Sequence, residues 1–356
     1  MRNLSRLLLK SLWGAAFLAA ESLCRADDAP DVAAPPEAKA ETEPESTKNE
    51  AESPVKPNTN LRTKTLGGRQ FWADVSFFRG WRTQRNIFTG HHRLLDAGDV
   101  RHAWGTLPQC RQKLDEIRRE ANLAPMSGEA VVLVHGVIRS SKSMQKLQRR
   151  LAEAGYTVVP FDYPSTRIDV PGAAGHLRQV LESLEGIERV HVVAFSLGGL
   201  VARCCLGEYE EPRLGRLVLV GVPNRGAELA DLLRNLWAFK FVYGPAGQQL
   251  ISTTEGFAAG LAVPKCEFAV IAGGRGEPRG YNPFIPGDDD GTVSVASTRL
   301  PGAADFALVP ALHTPLIGNS QTLEYALRFL KEGRLREQGD REPIEAAAPP
   351  AIDPCR

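Results

Sequence analysis

Three side chains far apart in the chain have the types and settings for covalent acyl chemistry. Ser196 lies in Val192-Val193-Ala194-Phe195-Ser196-Leu197-Gly198-Gly199-Leu200, where an apolar run ends at a serine and a helical pattern begins just after it. A sharp strand-to-helix turn of this kind thrusts a hydroxyl clear of its sheet, and small residues on either side let strand and helix approach. The pattern is Ala-x-Ser-x-Gly rather than Gly-x-Ser-x-Gly, so Ala194 adds a methyl where the turn wants little bulk. A serine hydroxyl becomes a nucleophile when a base takes its proton. His313, in Ala311-Leu312-His313-Thr314-Pro315-Leu316, follows the serine, whereas His91, His92, His102, His135, His176 and His191 all precede it. A carboxylate orients such a histidine, and Gly287-Asp288-Asp289-Asp290-Gly291-Thr292-Val293 offers three. Asp290 is the choice, because Gly291-Thr292-Val293 follows it directly and turns the chain back; Asp288 and Asp289 then read as solvated loop charges or caps. The plainer alternatives are Ser196 as a helix cap, His313 as an ordinary loop histidine and the aspartates as a calcium site, although no EF-hand spacing is present.

These residues need a rigid frame. Residues 130–134, 157–161, 189–195, 216–220 and 266–272 read as buried strands, separated by helical patterns at 142–154, 173–184, 197–207 and 227–237, with a closing helix at 321–330. Strands alternating with helices predict an α/β fold, a mostly parallel sheet flanked by helices. The first strand runs into His135-Gly136-Val137. In such a fold a backbone N–H just after that strand, together with the N–H after the nucleophile, forms an oxyanion hole. That assigns the amides of Val137 and Leu197. Gly136 lets the backbone come close to a substrate, and His135 becomes a structural residue hydrogen-bonded within the turn.

The rest of the chain sets boundaries. Among 356 residues, Lys and Arg number 43 and Asp and Glu 42, a balance that gives no field for nucleic acid, so no nucleic-acid partner is expected. Residues 1–26 read as a secretory signal peptide, with Arg2 and Arg6 ahead of an apolar stretch and Cys24-Arg25-Ala26 at the cleavage point, which implies export; an uncleaved membrane anchor is the alternative. Residues 27–65, poor in large apolar side chains, read as a disordered linker, and 333–356 as a disordered tail. Residues 66–128 are expected to form an N-terminal helical segment packed on the core, because Phe71, Val75 and Phe78 share a helical face. The stretch from Val220 to Cys266 is longer than a connection needs. It suggests a helical insertion, with 224–262 as a cap in which Trp237 to Tyr243 cover Ser196. The cysteines read as free buried thiols, with a bridge from Cys204 or Cys205 to Cys266 as the alternative.

With these residues in hand, the chain resembles the α/β-hydrolase superfamily, and within it the bacterial lipases and esterases, over about residues 129–330, which implies an α/β-hydrolase domain at 129–332. Gly221-Val222-Pro223-Asn224-Arg225-Gly226 is similar to the segment those lipases carry after the next strand, with Val222 and Asn224 where they have Thr and His. Asp290-Gly291-Thr292-Val293 looks like their Asp-Gly-x-Val run, and His313 with Asn319 before the final helix also matches. The resemblance implies a serine hydrolase that cleaves carboxylic esters through an acyl-enzyme, with no metal or organic cofactor. Its partner would be a small-molecule or lipid ester, with transient contact to a lipid surface at the cap. An acyltransferase using the same triad, or an inactive binding protein on the same fold, also fits.

Overall fold

The runs that the sequence marks as strands lie side by side. In the computed structural model they are β6 (Glu129–Val134), β7 (Thr157–Phe161), β8 (Arg189–Phe195), β9 (Leu214–Val220) and β10 (Phe268–Gly274), joined by a further strand, β11 (Asp305–Pro310). The structure describes residues 63–64, 69–228, 230, 244–247, 249 and 256–346. The proposed signal peptide, nearly all of the linker, the Trp237 to Tyr243 cap and residues 347–356 lie outside them.

The six strands are parallel, in the order β11-β10-β9-β8-β6-β7. Alternate residues feed two cores. Val132, Val134, Val192, Ala194, Leu217 and Leu219 face one side, where α3 (Val170–Glu182) and α4 (Leu197–Glu208) pack. Val131, Leu133, Val193, Phe195, Val218 and Val220 face the other, covered by α2 (Gln145–Glu153) and the closing helix at Ser320–Glu332. Burial on both faces is why these strands read as continuous apolar runs. A parallel sheet sandwiched by helices, with a strand–serine–helix turn at its centre, is the α/β-hydrolase fold. In that layout the loops at the carboxyl ends of the strands collect the site.

The segment at 66–128 is not helical as expected. It forms β2 (Trp72–Phe78), β3 (Trp81–Asn86), β4 (His92–Leu95) and β5 (Val100–Gly105), an antiparallel sheet completed by β1 (Thr63–Lys64) and followed by one helix, α1 (Leu107–Glu120). The Phe71, Val75 and Phe78 spacing imitates a helix, but residues 72–78 pair with β3 as a strand that buries Ala73, Asp74, Val75, Phe77 and Phe78. A register shift between Asp74 and Ser76 breaks the alternation, so that Asp74 and Phe77 pair with Gln84 and Arg82 on one face while Ala73 and Phe78 pair with Arg85 and Trp81 on the other. Arg79 and Gly80, both at positive φ, make the two-residue hairpin to β3. The sheet meets β7 where the Asp74 amide donates to the Asp162 carbonyl at 2.9 Å.

The tail is also ordered further than its composition suggests. Leu335 is fully buried, and its amide and that of Glu342 donate to the Asp305 carboxylate at 2.7 and 2.9 Å. Ile344 pairs with Ala303 and Gly302 through backbone bonds. Cys110, Cys204, Cys205 and Cys266 are free thiols, so the bridge considered for Cys266 is not formed. Burial pushes the Cys205 thiol up to about 12, which keeps it protonated.

Candidate active site

The nucleophile candidate owes its position to backbone geometry. Ser196 has φ 55° and ψ −128°, a conformation side chains avoid. It is held by its amide donating to the Val220 carbonyl and by the Gly199 amide donating to its own carbonyl, both at 2.9 Å. A Cβ on Gly198 would fall 2.4 Å from the Val134 oxygen and 2.5 Å from the His135 oxygen, and one on Gly199 would strike Val222. The small residues after the serine are therefore dictated by contact between α4 and the end of β6. Ala194, the departure from the usual glycine, is fully buried in the core.

The structure brings Ser196, Asp290 and His313 together. Ser196 Oγ lies 2.9 Å from His313 Nε2, and His313 Nδ1 lies 2.6 Å from Asp290 Oδ2. The histidine enters through Leu312 after β11, and its amide donates to the Asp290 carbonyl at 2.8 Å. Its ring leans on Phe195 at 4.9 Å. The second oxygen of Asp290 accepts the Thr292 and Val293 amides at 3.0 and 2.8 Å.

The neighbouring aspartates have other tasks. Asp288 accepts the Arg275 and Gly276 amides. Asp289, fully buried, accepts those of Asn282 and Gly291, and burial with the charges of Asp290 and Asp288 raises its pKa.

The turn after β6 packs against the serine, with a hypothetical Gly136 Cβ only 3.0 Å from the Ser196 Cβ. This sets Val137 and Leu197 on adjoining turns. Among the described residues neither amide has a hydrogen-bond acceptor, whereas the next amide, Ile138, donates to Ser165 Oγ at 3.0 Å. His135 takes no part in the triad. Its ring bonds the Gly136 carbonyl at 2.7 Å and stacks on Tyr163 at a centroid distance of 4.4 Å. Asn319 caps the closing helix through the Gln321 amide.

Several site residues escaped the sequence reading. Asp162 accepts the Ser141 amide and hydroxyl at 2.7 and 2.9 Å, and Arg82 at 2.8 Å. Its place just beyond an apolar strand, at the carboxyl end of the sheet, was the available signal. Arg139 donates to Thr314 Oγ1 at 2.8 Å, tying the turn after β6 to the histidine loop. Arg203, buried in α4, donates to carbonyls of Asn224, Ala258, Leu261 and Ala262, joining the segment after β9 to the segment before β10. Among the described residues no group of three His, Cys, Asp or Glu is placed to hold a metal ion.

Residues 98–239 match a family model described as "Domain of unknown function (DUF7379)", which spans less than half of the chain. Among solved structures, the chain is similar to the mature form of the lipase BlEst2 of Bacillus licheniformis, with 21% identity over 58% of this chain and 93% of that one, at a TM-score of 0.45. It is also similar to the lin2722 product of Listeria innocua, with 18% identity over 62% and 99% and a TM-score of 0.43. A metagenomic carboxyl esterase, MGS0156, overlays at 19% identity over 59% and 77%, with a TM-score of 0.42.

Proposed function

We propose that the protein is a serine hydrolase that cleaves carboxylic esters through an acyl-enzyme intermediate. The observation that carries this reading is the line of hydrogen bonds from Ser196 Oγ through the His313 ring to Asp290 Oδ2, at 2.9 and 2.6 Å, on a serine held in a strained turn. In this mechanism His313 Nε2 takes the hydroxyl proton as Ser196 Oγ attacks the ester carbonyl. Asp290 keeps the other ring proton on Nδ1 and balances the imidazolium. The Val137 and Leu197 amides receive the developing oxyanion. His313 returns the proton to the departing alcohol, and a water activated by the same ring clears the acyl group. The exposed Leu312 and Tyr281 side chains flank Gly291 beside the triad, which favours an ester with an apolar acyl or alcohol part. A fluorophosphonate probe should label the wild type at Ser196, and Ser196→Ala should lose both labelling and p-nitrophenyl butyrate hydrolysis while keeping its melting temperature. Wild-type turnover in the folded Ser196→Ala variant would refute the reading.

A further inference from the structure

The turn from His135 to Ser141, which carries the Val137 amide, is held at three points by residues that follow β7. At its start, the Tyr163 hydroxyl donates to the His135 carbonyl at 2.8 Å while the two rings stack. In its middle, Ser165 Oγ accepts from Ile138, whose φ of 62° is unfavourable for a β-branched residue. At its end, Asp162 Oδ1 accepts the Ser141 amide and Oδ2 the Ser141 hydroxyl.

Asp162 is itself set from the N-terminal sheet. Arg82 Nη1 on β3 donates to its Oδ2 at 2.8 Å, and Arg82 Nη2 bonds Asp99. Asp74 on β2 accepts the Asp162 amide at 2.7 Å and stands 3.7 Å from Arg82. Gln84 donates to Asp74, and Arg93 donates to Gln84. Asp74, Arg82, Gln84, Arg93 and Asp162 are all buried. Burial opposes ionisation of Asp162, but His135, Arg82 and the Ser141 bonds together hold its carboxyl below the ordinary range. Burial and the neighbouring Asp162 charge instead push Asp74 up to about 7. Arg82 and Asp162 thus face each other as an ion pair directly beneath the turn.

We propose that Asp162 and Arg82 are positioning residues for the oxyanion site, the antiparallel sheet using Arg82 to fix the carboxylate from which the Val137 turn is hung. The inference rests on the ester-hydrolase reading above. Neither residue touches substrate; both act through the turn. A displaced donor loses what it gives the transition state while substrate binding changes little.

The test uses the full chain with Arg82→Met, Asp162→Asn and Arg82→Lys, measuring kcat and KM with p-nitrophenyl butyrate, the Ki of phenylboronic acid and the melting temperature. Losing an oxyanion donor outright lowers kcat by about 10²–10³-fold, so loosening one should lower it by roughly 10–100-fold in Arg82→Met and Asp162→Asn. KM should stay within about threefold, because ground-state contacts are untouched. The boronate adduct places an oxygen in the same hole, so its Ki should rise in step with the loss of kcat. Arg82→Lys should recover part of both. If the first two variants do not fold, Ser141→Ala removes a single bond to Asp162 and should lower kcat by ~3–10-fold with a matching rise in Ki. Folded variants with wild-type kcat and Ki, or a loss confined to KM, overturn the proposal. An inactive Ser196→Ala beside a fully active Arg82→Met would overturn the positioning role alone, whereas an active Ser196→Ala would remove the reading beneath it.

Discussion

Substituting asparagine at each of the three adjacent aspartates separates their roles, because the hydrogen bonds decide which way each new amide must face. At position 290, Oδ1 accepts two backbone amides, at 3.0 and 2.8 Å, while Oδ2 lies 2.6 Å from His313 Nδ1. An asparagine has one acceptor oxygen, and the two amides claim it. Its NH2 group then faces His313 Nδ1 and requires that nitrogen to be unprotonated. The ring proton moves to Nε2, where it points at Ser196 Oγ, and the histidine donates where it should accept. A wrong tautomer of this kind lowers the rate by about 10³–10⁴-fold, which is roughly 4–5.5 kcal/mol of barrier. At position 289 the amides of Asn282 and Gly291 both reach Oδ1, at 3.0 and 2.6 Å, so an asparagine oxygen serves them both. Burial already disfavours the Asp289 charge, and Asp289→Asn should keep activity within tenfold or so. Asp288→Asn forfeits one of two amide bonds, on Oδ1 or Oδ2, and should lower stability by about 1 kcal/mol with little effect on turnover. The assay is kcat/KM for p-nitrophenyl butyrate on the three variants, each checked by thermal melting. An Asp290→Asn variant within tenfold of wild type, or a larger loss at Asp289, would refute the reasoning.

Gly198→Ala should abolish activity and lower the melting temperature, because the added methyl meets backbone oxygens at 2.4 and 2.5 Å that cannot move aside without shifting β6; an active variant of wild-type stability would contradict the elbow geometry. Arg203→Ala should destabilise the fold by at least about 3 kcal/mol in denaturant melts, since several carbonyls lose their donor, and should speed proteolysis between Asn224 and Ala258. Burial, with Arg85 and His92 nearby, pushes His176 down to about 4 from 6.5, so the folded state binds fewer protons than the unfolded chain between those values. Stability should therefore fall as pH drops from 6.5 to 4, by up to about 3 kcal/mol, and His176→Leu should flatten that part of the profile measured by urea titration.

How far the sequence led depended on which faces of each element are buried. The strands of the parallel sheet lie between two helical layers, so 130–134 is apolar throughout, 157–161 and 189–195 are broken only by Thr157, Arg189 and His191, and their pattern survives without neighbours. Ser196 ends one such strand directly, whereas Asp290 lies well beyond β10 in a Gly- and Pro-rich loop and His313 follows β11, which no apolar run announces, so those two were legible from their local motifs and their order in the chain. The antiparallel sheet was illegible for the opposite reason. Its inward positions include Asp74, Arg82, Gln84 and Arg93, which satisfy one another, so alternation of apolar and polar residues is broken exactly where the strands are. Arg79-Gly80 was the surviving clue to a hairpin, with arginine in a place more often taken by asparagine or aspartate. The tail misled through composition. Residues 333–346 offer few apolar side chains, but their backbone amides answer Asp305, a buried carboxylate at the head of the edge strand that no pattern of hydrophobicity reveals.

The two turns that flank the Ser196 hydroxyl each contain a side-chain-bearing residue at positive φ, Ser196 at 55° and Ile138 at 62°. Each such conformation costs of order 1–3 kcal/mol, and the cost is larger for β-branched isoleucine than for serine. Neither is needed to complete the sheet, since β6 and β8 have already ended at Val134 and Phe195. The neighbours that impose the two conformations are specific: Val220 and the absent side chain of Gly198 for the serine, and Ser165 for the isoleucine. What the strain achieves is local. It turns the amides of Val137 and Leu197 away from every protein acceptor among the described residues, on two backbones that Gly136 allows to touch. On the proposed ester-hydrolase reading, an oxyanion formed at Ser196 would find both donors already aimed at it, so the strain accepted in folding the two turns spares reorganisation when the charge develops.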